Sequence, residues 1–284
     1  MGFRLDRFTT LYVVHPLQRQ GSNLSVPVLM YHSIADEDEN DVRAYFRTAT
    51  SSRVFADQIA SLHEAGYEAL GVSEAVKRLK SHSQTMSRGV VITFDDGFHN
   101  FYTNAFPILN RYSFTATVYL PTAYIGENHL SFKGKKCMTW NEVRELKKHG
   151  ISFGSHTVTH PKLYGLRAKA INEEVLVSKQ TIEQKLSCAV DSFAYPYAFP
   201  EIDTEFKGRL RAILCQAGYK NGVCTTVGRS DPNSDPFFLK RLPVNSDDDP
   251  QFFQAKLAGA YDWLAKPQYV LKTAKNWVSS VRQS

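Results

Sequence analysis

The chain has 284 residues, of which 43% are hydrophobic and 22% are charged, so it can bury a substantial core as one large or two small domains. The net charge of +6 is spread along the sequence without a dense Lys/Arg block. Because nucleic-acid binders concentrate basic residues on one face or helix, this distribution argues against a nucleic-acid partner.

The beginning of the sequence contains one brief apolar stretch, residues 11–14 (LYVV). It is too short for a membrane span, and it lacks the longer apolar core and the cleavage site of a secretory signal. No Cys-x-x-Cys motif occurs among the cysteines, which indicates reduced and mostly packed thiols. These are Cys137, Cys188, Cys215 and Cys224. We therefore expect a cytoplasmic protein.

Strand-like and helix-like segments alternate along the chain. The predicted strands are residues 26–32, 67–70, 90–93, 115–120, 151–154, 192–195, 219–225 and 239–244. The predicted helices are residues 52–66 with Ser52 as cap, 73–79, 103–112 disturbed by Pro107, 139–148 with a capping box, 167–186 and 204–217, followed by a helical tail from Pro250 with exposed lysines. Residues 123–136 are predicted to cross the surface. This alternation predicts a single parallel α/β domain, closed or nearly closed into a barrel.

Two adjacent carboxylates, Asp95 and Asp96, end the apolar run of residues 90–97 (VVITFDDG). The carboxyl ends of parallel strands are where α/β folds place their ligands. Neighbouring strand residues point in opposite directions, so the two aspartates can serve different purposes. An acidic loop or a helix start is the alternative explanation of the pair.

Two histidines four residues apart, His156 and His160, follow another predicted strand. If the segment turns like a helix, both imidazoles can bind one metal ion. Together with one aspartate they form a three-ligand set typical of catalytic zinc, and the second carboxylate is then free to act as general base. A surface pair or a hydrogen-bonded core pair of histidines is the alternative.

These two motifs together resemble the polysaccharide deacetylase family, also called the NodB-homology domain or carbohydrate esterase family four. The segments that carry the resemblance are residues 93–97 (TFDDG) and 155–161 (SHTVTHP). Residues 27–34 (PVLMYHSI) resemble the start of the branch that contains exopolysaccharide and poly-N-acetylglucosamine deacetylases. The resemblance implies a distorted (β/α) barrel and metal-dependent removal of acetyl groups from carbohydrate.

The resemblance also implies a role for each matching residue. Asp95 corresponds to the catalytic base, whereas Asp96, His156 and His160 correspond to the ligands of a divalent metal, zinc first and cobalt or nickel as alternatives. Residues 193–197 (FAYPY) resemble a third motif, in which the backbone N–H of Tyr197 helps to hold the oxyanion. A plain strand end bounded by proline is the alternative explanation of this segment.

The chain departs from the family pattern at three positions. Ala194 stands where the family often has an arginine that orients the base, and Arg241 is the substitute that we expect. Ala198 replaces a glycine of the third motif, and no histidine follows His160 to act as general acid. In the branch that begins with Tyr-His, the early histidine resembles a relocated acid. His32 is therefore either the general acid or a buried structural histidine.

The function predicted from these features is the release of acetate, mainly from N-acetyl groups, from a polymeric or lipid-linked carbohydrate. The alternatives are a metal-binding protein that binds carbohydrate or regulates without hydrolysis, and a related hydrolase of other non-peptide C–N bonds. We expect an extension at residues 1–25, the deacetylase domain at 26–248 and a helical tail at 249–284. The basic residues of 266–282 favour peripheral association with the inner membrane face. The oligomeric state is not predicted.

Overall fold

The computed structural model of the protein describes residues 4–17, 24–37, 39, 41–81, 88–265 and 267. Helices and strands alternate through most of this range. The strands are β1 Val28–Tyr31, β2 Ser33–Ile34, β3 Ala49–Thr50, β4 Glu68–Leu70, β5 Gly89–Phe94, β6 Thr117–Leu120, β7 Ser131–Phe132, β8 Lys135–Lys136, β9 Ser152–Ser155, β10 Ser192–Ala194, β11 Asn221–Val227 and β12 Leu239–Pro243. The α-helices are α1 Leu5–Thr9, α2 His15–Leu17, α3 Ser52–Glu64, α4 Val72–Lys80, α5 Phe106–Arg111, α6 Trp140–Lys148, α7 Ala168–Leu186, α8 Thr204–Gln216 and α9 Pro250–Leu257.

Seven parallel strands close into a barrel in the order β1, β12, β11, β10, β9, β6 and β5, with β5 pairing back onto β1. The fold is the distorted (β/α) barrel that the sequence predicts. Strand β4 lies outside the ring, where it pairs with the first half of β5, while β6 pairs with the second half. Because three strands flank β5, all six of its residues are buried.

Helix α4 closes one end of the barrel. It packs near the first residues of the strands, where Asn221 Nδ2 donates a hydrogen bond of 2.8 Å to Ser73 Oγ. Small and branched side chains fill the interior between this helix and the middle of the barrel, among them Val28, Val91 and Val223. The carboxyl ends of the strands therefore remain at the opposite end for chemistry.

Most helix boundaries agree with the predictions within a few residues, and two local details differ. Ser51, not Ser52, caps α3, because its Oγ accepts a hydrogen bond from the Val54 N–H. The predicted helix at 103–112 begins earlier, as a π-helical segment at Phe101–Ala105. Pro107 lies just after this π-helical segment, and the regular α-helix is confined to Phe106–Arg111, so the helix is irregular around Pro107 as predicted.

The cysteines agree with the sequence prediction, whereas the tail agrees only in part. All four cysteines are free, with Cys137 and Cys224 buried and Cys215 exposed. Helix α9 confirms the start of the helical tail, but Lys256 is buried, contrary to the expectation of exposed lysines. The basic residues of 266–282 that were predicted to meet a membrane all lie outside the described residues. Among the helices that the structure describes, none is long and apolar enough to cross a bilayer. The boundaries at residues 25 and 248 stay a prediction.

Candidate active site

Strand β5 carries Asp95 and Asp96 to the open end of the barrel. The Asp95 N–H donates a hydrogen bond of 3.0 Å to the Tyr31 carbonyl of the neighbouring strand β1. Asp96 then has a φ of 72°, which turns the chain out of the sheet immediately after the strand. Each aspartate is only 2% exposed, so both carboxylates need charged or hydrogen-bonding partners.

Arg241 of β12 is the partner of Asp95. Its Nη1 and Nη2 each donate a 2.7 Å hydrogen bond to one carboxylate oxygen, and its Nε donates to the Cys224 carbonyl at 2.9 Å. The guanidinium is fully buried. Burial opposes ionisation of Asp95, but the charge and hydrogen bonds of Arg241, together with the neighbouring His156 and His32, outweigh it and lower the pKa to about 2. The structure thus brings Arg241, the substitute expected from the sequence, into contact with Asp95.

Asp96, His156 and His160 form a second buried group beside this pair. His160 Nε2 lies 3.3 Å from Asp96 Oδ1, and His156 Nε2 lies 3.7 Å from the same oxygen. His156 Nε2 also lies 3.9 Å from Asp95 Oδ2. The structure therefore brings together the four side chains that the two motifs predict.

The loop that carries the two histidines is not helical, in contrast to the geometry assumed from their spacing. Thr157 and His160 have φ values of 69° and 57°. Thr157 Oγ1 accepts a hydrogen bond from the His160 N–H at 3.0 Å, and Glu174 of α7 accepts from the N–H groups of Val158 and Thr159. These hydrogen bonds fix a turn in which both imidazoles face Asp96.

The protonation of His156 prepares it as a ligand. Its Nδ1 lies 2.9 Å from the Ala194 carbonyl, which can only accept, so Nδ1 carries the proton and Nε2 presents its lone pair to Asp96. Burial, together with the neighbouring His160, lowers the pKa of His156 to about 3 against the pull of Asp95. The imidazole is therefore neutral at pH 7, as a metal ligand must be.

The hydrogen-bonding pattern of Asp96, His156 and His160 is the pattern expected of a binding site for a divalent cation. Asp96 Oδ1 is buried, and no described residue shares a hydrogen bond with it, although two imidazole nitrogens face it. One ligand atom from each of the three residues lies within 4.8 Å of the others. Two imidazoles and one carboxylate are the donors that zinc and its neighbours in the first transition row accept.

His32 and Tyr197 flank the centre. His32 Nε2 lies 3.9 Å from Asp95 Oδ2, and its side chain is 21% exposed. Burial lowers the pKa of His32 despite the charges of Asp95 and Asp96. Tyr197 has a φ of 59°, and its ring packs edge-on against His160 at 4.7 Å between centroids. The Thr225 hydroxyl donates to the Tyr197 carbonyl at 2.7 Å, which holds the peptide in this conformation.

The sequence did not predict Lys133 beside the centre. Its Nζ lies 3.2 Å from Asp96 Oδ2, at the turn of the β7–β8 hairpin. This hairpin belongs to the segment expected to cross the surface, and it returns over the mouth of the barrel instead. A lysine followed by glycine indicates a turn, but nothing in that pattern indicates where the turn lies.

These features define a (β/α) barrel with a buried aspartate–arginine pair and a candidate metal-binding triad at the carboxyl ends of its strands. Residues 82–222 match the model of the polysaccharide deacetylase family. YxkH of Bacillus subtilis (strain 168), which is assigned to the polysaccharide deacetylases, is 30% identical over 220 residues, 78% of this chain and 71% of that protein. The chain belongs to the polysaccharide deacetylase family, a family of enzymes that act on carbohydrate amide C–N bonds.

Two other relatives extend this result. The poly-β-1,6-N-acetyl-D-glucosamine N-deacetylase of Staphylococcus aureus (strain MSSA476) is 25% identical over 59% of this chain, and the match spans only 58% of that protein. The Streptococcus pyogenes deacetylase PplD, solved in complex with acetate, superimposes with a TM-score of 0.72 at 25% identity, over 82% of this chain and 98% of that one.

Proposed function

We propose that this protein is a metal-dependent deacetylase that removes N-acetyl groups from a poly- or oligosaccharide and releases acetate. The observation that carries the proposal is the meeting of the Asp95–Arg241 pair with Asp96, His156 and His160 at one end of the barrel. The S. aureus relative is named for N-deacetylation of poly-N-acetylglucosamine. This supports an N-acetylated glucosamine polymer, or its lipid-linked precursor, as the substrate.

Asp96, His156 and His160 would hold a divalent cation, zinc first and cobalt or nickel as alternatives. When bound, the cation supplies Lewis-acid polarisation of the acetyl carbonyl and of the attacking water. His156 Nε2 and Asp96 Oδ1 are already positioned for this by the Ala194 carbonyl and by the turn after β5.

Asp95 is the proposed general base. Each of its oxygens accepts one hydrogen bond from Arg241, and each retains a second lone pair for the proton of the water. Arg241 acts as a positioning residue, because its fork allows the carboxylate one orientation. The low pKa of Asp95 keeps it ionised at neutral pH.

His32 and Tyr197 complete the proposed mechanism. The His32 imidazole, next to Asp95, would donate a proton to the leaving nitrogen, so that a free amine and acetate are released. The Tyr197 N–H would donate a hydrogen bond to the oxyanion that develops on the acetyl carbonyl. The positive φ of Tyr197 presents this N–H in a fixed direction.

Asp95→Asn is the direct test. Acetate release from N-acetylglucosamine oligomers should fall by roughly 10²- to 10⁴-fold, the usual contribution of a positioned base. Metal content, measured by mass spectrometry, should stay at the wild-type level because Asp95 is not a proposed ligand. Asp57→Asn, at an exposed residue of α3, is the matched control and should leave the rate unchanged.

Chelation should abolish acetate release, and zinc, cobalt or nickel should restore it. Wild-type activity in Asp95→Asn, or full activity after complete metal removal, contradicts the proposal. A protein that binds the oligomers without releasing acetate would instead be the carbohydrate-binding alternative. The cytoplasmic location and the peripheral membrane association stay predictions.

A further inference from the structure

A second cluster of possible metal ligands lies near the first, and its first member follows Asp96 by three residues. It consists of His99 after β5, His129 before β7, and Glu142 in the first turn of α6. One ligand atom from each residue lies within 4.8 Å of the others. The side chains are 23%, 32% and 15% exposed, so a cation can enter from solvent.

Backbone groups orient two of these side chains. His129 Nδ1 lies 2.9 Å from the Cys137 carbonyl, so Nδ1 carries the proton and Nε2 presents a lone pair. Glu142 Oε2 accepts a hydrogen bond of 2.8 Å from the Thr139 N–H in the capping box. Its other oxygen, Oε1, is left to face the two histidines. Such outer contacts are typical of metal ligands.

The three inward atoms do not satisfy one another by hydrogen bonds. His129 Nε2 and Glu142 Oε1 are 3.7 Å apart, and both are acceptors when His129 is neutral. His99 Nδ1 is shielded from solvent and lies 3.1 Å from the same oxygen, yet it has no aligned hydrogen-bond partner among the described residues. Two ligand atoms of a tetrahedral zinc ion with bonds of about 2.05 Å lie roughly 3.3 Å apart, and the separations here are close to that value.

We propose that His99, His129 and Glu142 form a second divalent-cation site, of the zinc class, distinct from the proposed catalytic centre. Two imidazoles and one carboxylate select zinc and similar transition metals over calcium or magnesium, which prefer oxygen ligands. A water molecule would complete the coordination on the solvent side.

The site would tie together the segments that surround Asp96. The Met138 N–H donates a hydrogen bond of 3.0 Å to the Gly97 carbonyl, and the backbones of Phe98 and Cys137 pair in an isolated antiparallel β-bridge. Between His129 and Cys137 lies the hairpin whose Lys133 contacts Asp96. A cation shared by His99 and His129 would therefore fasten this hairpin to the loop that holds the catalytic aspartates.

Metal counting on the full chain tests the site without reference to catalysis. We expect chelator-treated wild-type protein to bind two equivalents of Zn²⁺, measured by titration and by mass spectrometry after gel filtration. His129→Ala and Glu142→Gln should each keep one tight equivalent, with the affinity for the second reduced roughly 100-fold or more, beyond the usual effect of an outer-contact mutation. Glutamine also suits the capping box, so Glu142→Gln keeps α6 intact.

Two further variants serve as controls. His160→Ala should lose the other equivalent and keep the one bound by His99, His129 and Glu142. His149→Ala, at an exposed histidine outside both groups, should keep two. A single wild-type equivalent that His129→Ala retains, or two equivalents in a folded His99→Ala/His129→Ala double variant, overturns the proposal. Because the readout is stoichiometry, an inactive protein with two bound ions would refute only the proposed function.

Hydrogen exchange tests the fastening of the hairpin. Zn²⁺ should slow amide exchange across residues 126–139 more in the wild type than in His129→Ala, because the variant retains only the catalytic ion. Equal slowing in the two proteins overturns the fastening role.

Discussion

At the scale of single residues, the ion pair between Asp95 and Arg241 balances the buried charges at the candidate site. Both side chains are buried, and the guanidinium satisfies both carboxylate oxygens. Removing either partner would leave an uncompensated buried charge, which typically destabilises a protein by about 3–5 kcal/mol. The stability of the protein and the orientation of the proposed base therefore depend on the same contact.

His156 gives the metal-free protein a stability that depends on pH. Its pKa is about 3 in the folded state and about 6.5 when unfolded, so the unfolded state takes up the proton first as the pH falls. This contribution is fully present above pH 6.5 and is lost as the pH falls toward 3. Between pH 7 and pH 5 we expect a loss of about 2 kcal/mol from this residue.

Urea unfolding of chelator-treated protein at the two pH values measures this loss. His156→Asn is the comparison, because asparagine can still donate to the Ala194 carbonyl but does not titrate. The variant should lose about 2 kcal/mol less than the wild type over the same interval. Equal losses would show that a neutral, buried His156 is not what the folded state contains.

Single residues were predictable from the sequence where a strand end or a motif located them. Asp95 and His156 each follow a predicted strand, so the parallel barrel places them at one end. Arg241 could be proposed because it stands near the end of the last strand. Lys133 and His129 could not, because they lie in a segment without periodicity whose path depends on tertiary contacts.

At the scale of elements, two glycines occupy very different surroundings, one in a tightly packed strand and the other in an open helix. A Cβ on Gly154 of β9 would lie 2.5 Å from ring atoms of Tyr119 and 2.8 Å from the Ser192 carbonyl oxygen. A Cβ on Gly208 of α8 would meet nothing within 4 Å. The first position needs glycine for the approach of neighbouring strands, whereas the second does not need it.

We expect Gly154→Ala to lower the free energy of unfolding by about 2–3 kcal/mol through overpacking. Gly208→Ala should raise it by about 0.5–1 kcal/mol, because alanine favours the helix and restricts the unfolded chain. Urea denaturation of the two variants measures both changes. A neutral Gly154→Ala would mean that Tyr119 can move aside without loss.

Elements were predictable where periodicity and caps agreed. Thr139 and Glu142 form the expected capping box, and α6 begins and ends where predicted. The π-helical segment before α5 was predictable only as a disturbance, because Pro107 indicates an irregular helix but not the form that the irregularity takes. The loop of His160 was not predictable either, since the hydrogen bonds that Val158 and Thr159 donate to Glu174 of α7 shape it.

The two ends of the described chain pack against each other at the scale of the molecule. Arg4 bonds to Asp248, Tyr261 donates to Asp6 at 2.8 Å, and Trp263 donates to Thr10. Lys256 lies beneath this contact, 2% exposed, with its Nζ 2.7 Å from both Asp248 Oδ2 and the Pro243 carbonyl. The sequence predicted two separate extensions, and nothing in either of them indicated this contact.

Lys256→Ala should therefore lower the free energy of unfolding by about 3 kcal/mol, because Asp248 loses its nearest cation while remaining buried. Metal content should not change, since Lys256 Nζ bonds to Pro243 and Asp248 and neither is a proposed ligand. Lys220→Ala removes a cation from a comparable pair with Asp191, but Lys220 is 70% exposed. Its effect on unfolding should be negligible. Similar destabilisation by both variants would show that burial of Lys256 does not matter.

The backbone is in the left-handed conformation at four residues of the site, which limits the substitutions that each position tolerates during evolution. These residues are Asp96, Thr157, His160 and Tyr197. Asparagine and glycine enter that conformation most readily, so a mutation of Asp96 to either one removes the charge of a proposed ligand while the turn keeps its shape. A duplicated gene could thus give rise, in one substitution, to a descendant that retains the barrel and has lost hydrolysis. Non-catalytic members are accordingly an accessible evolutionary outcome of the same geometry that supports the enzyme.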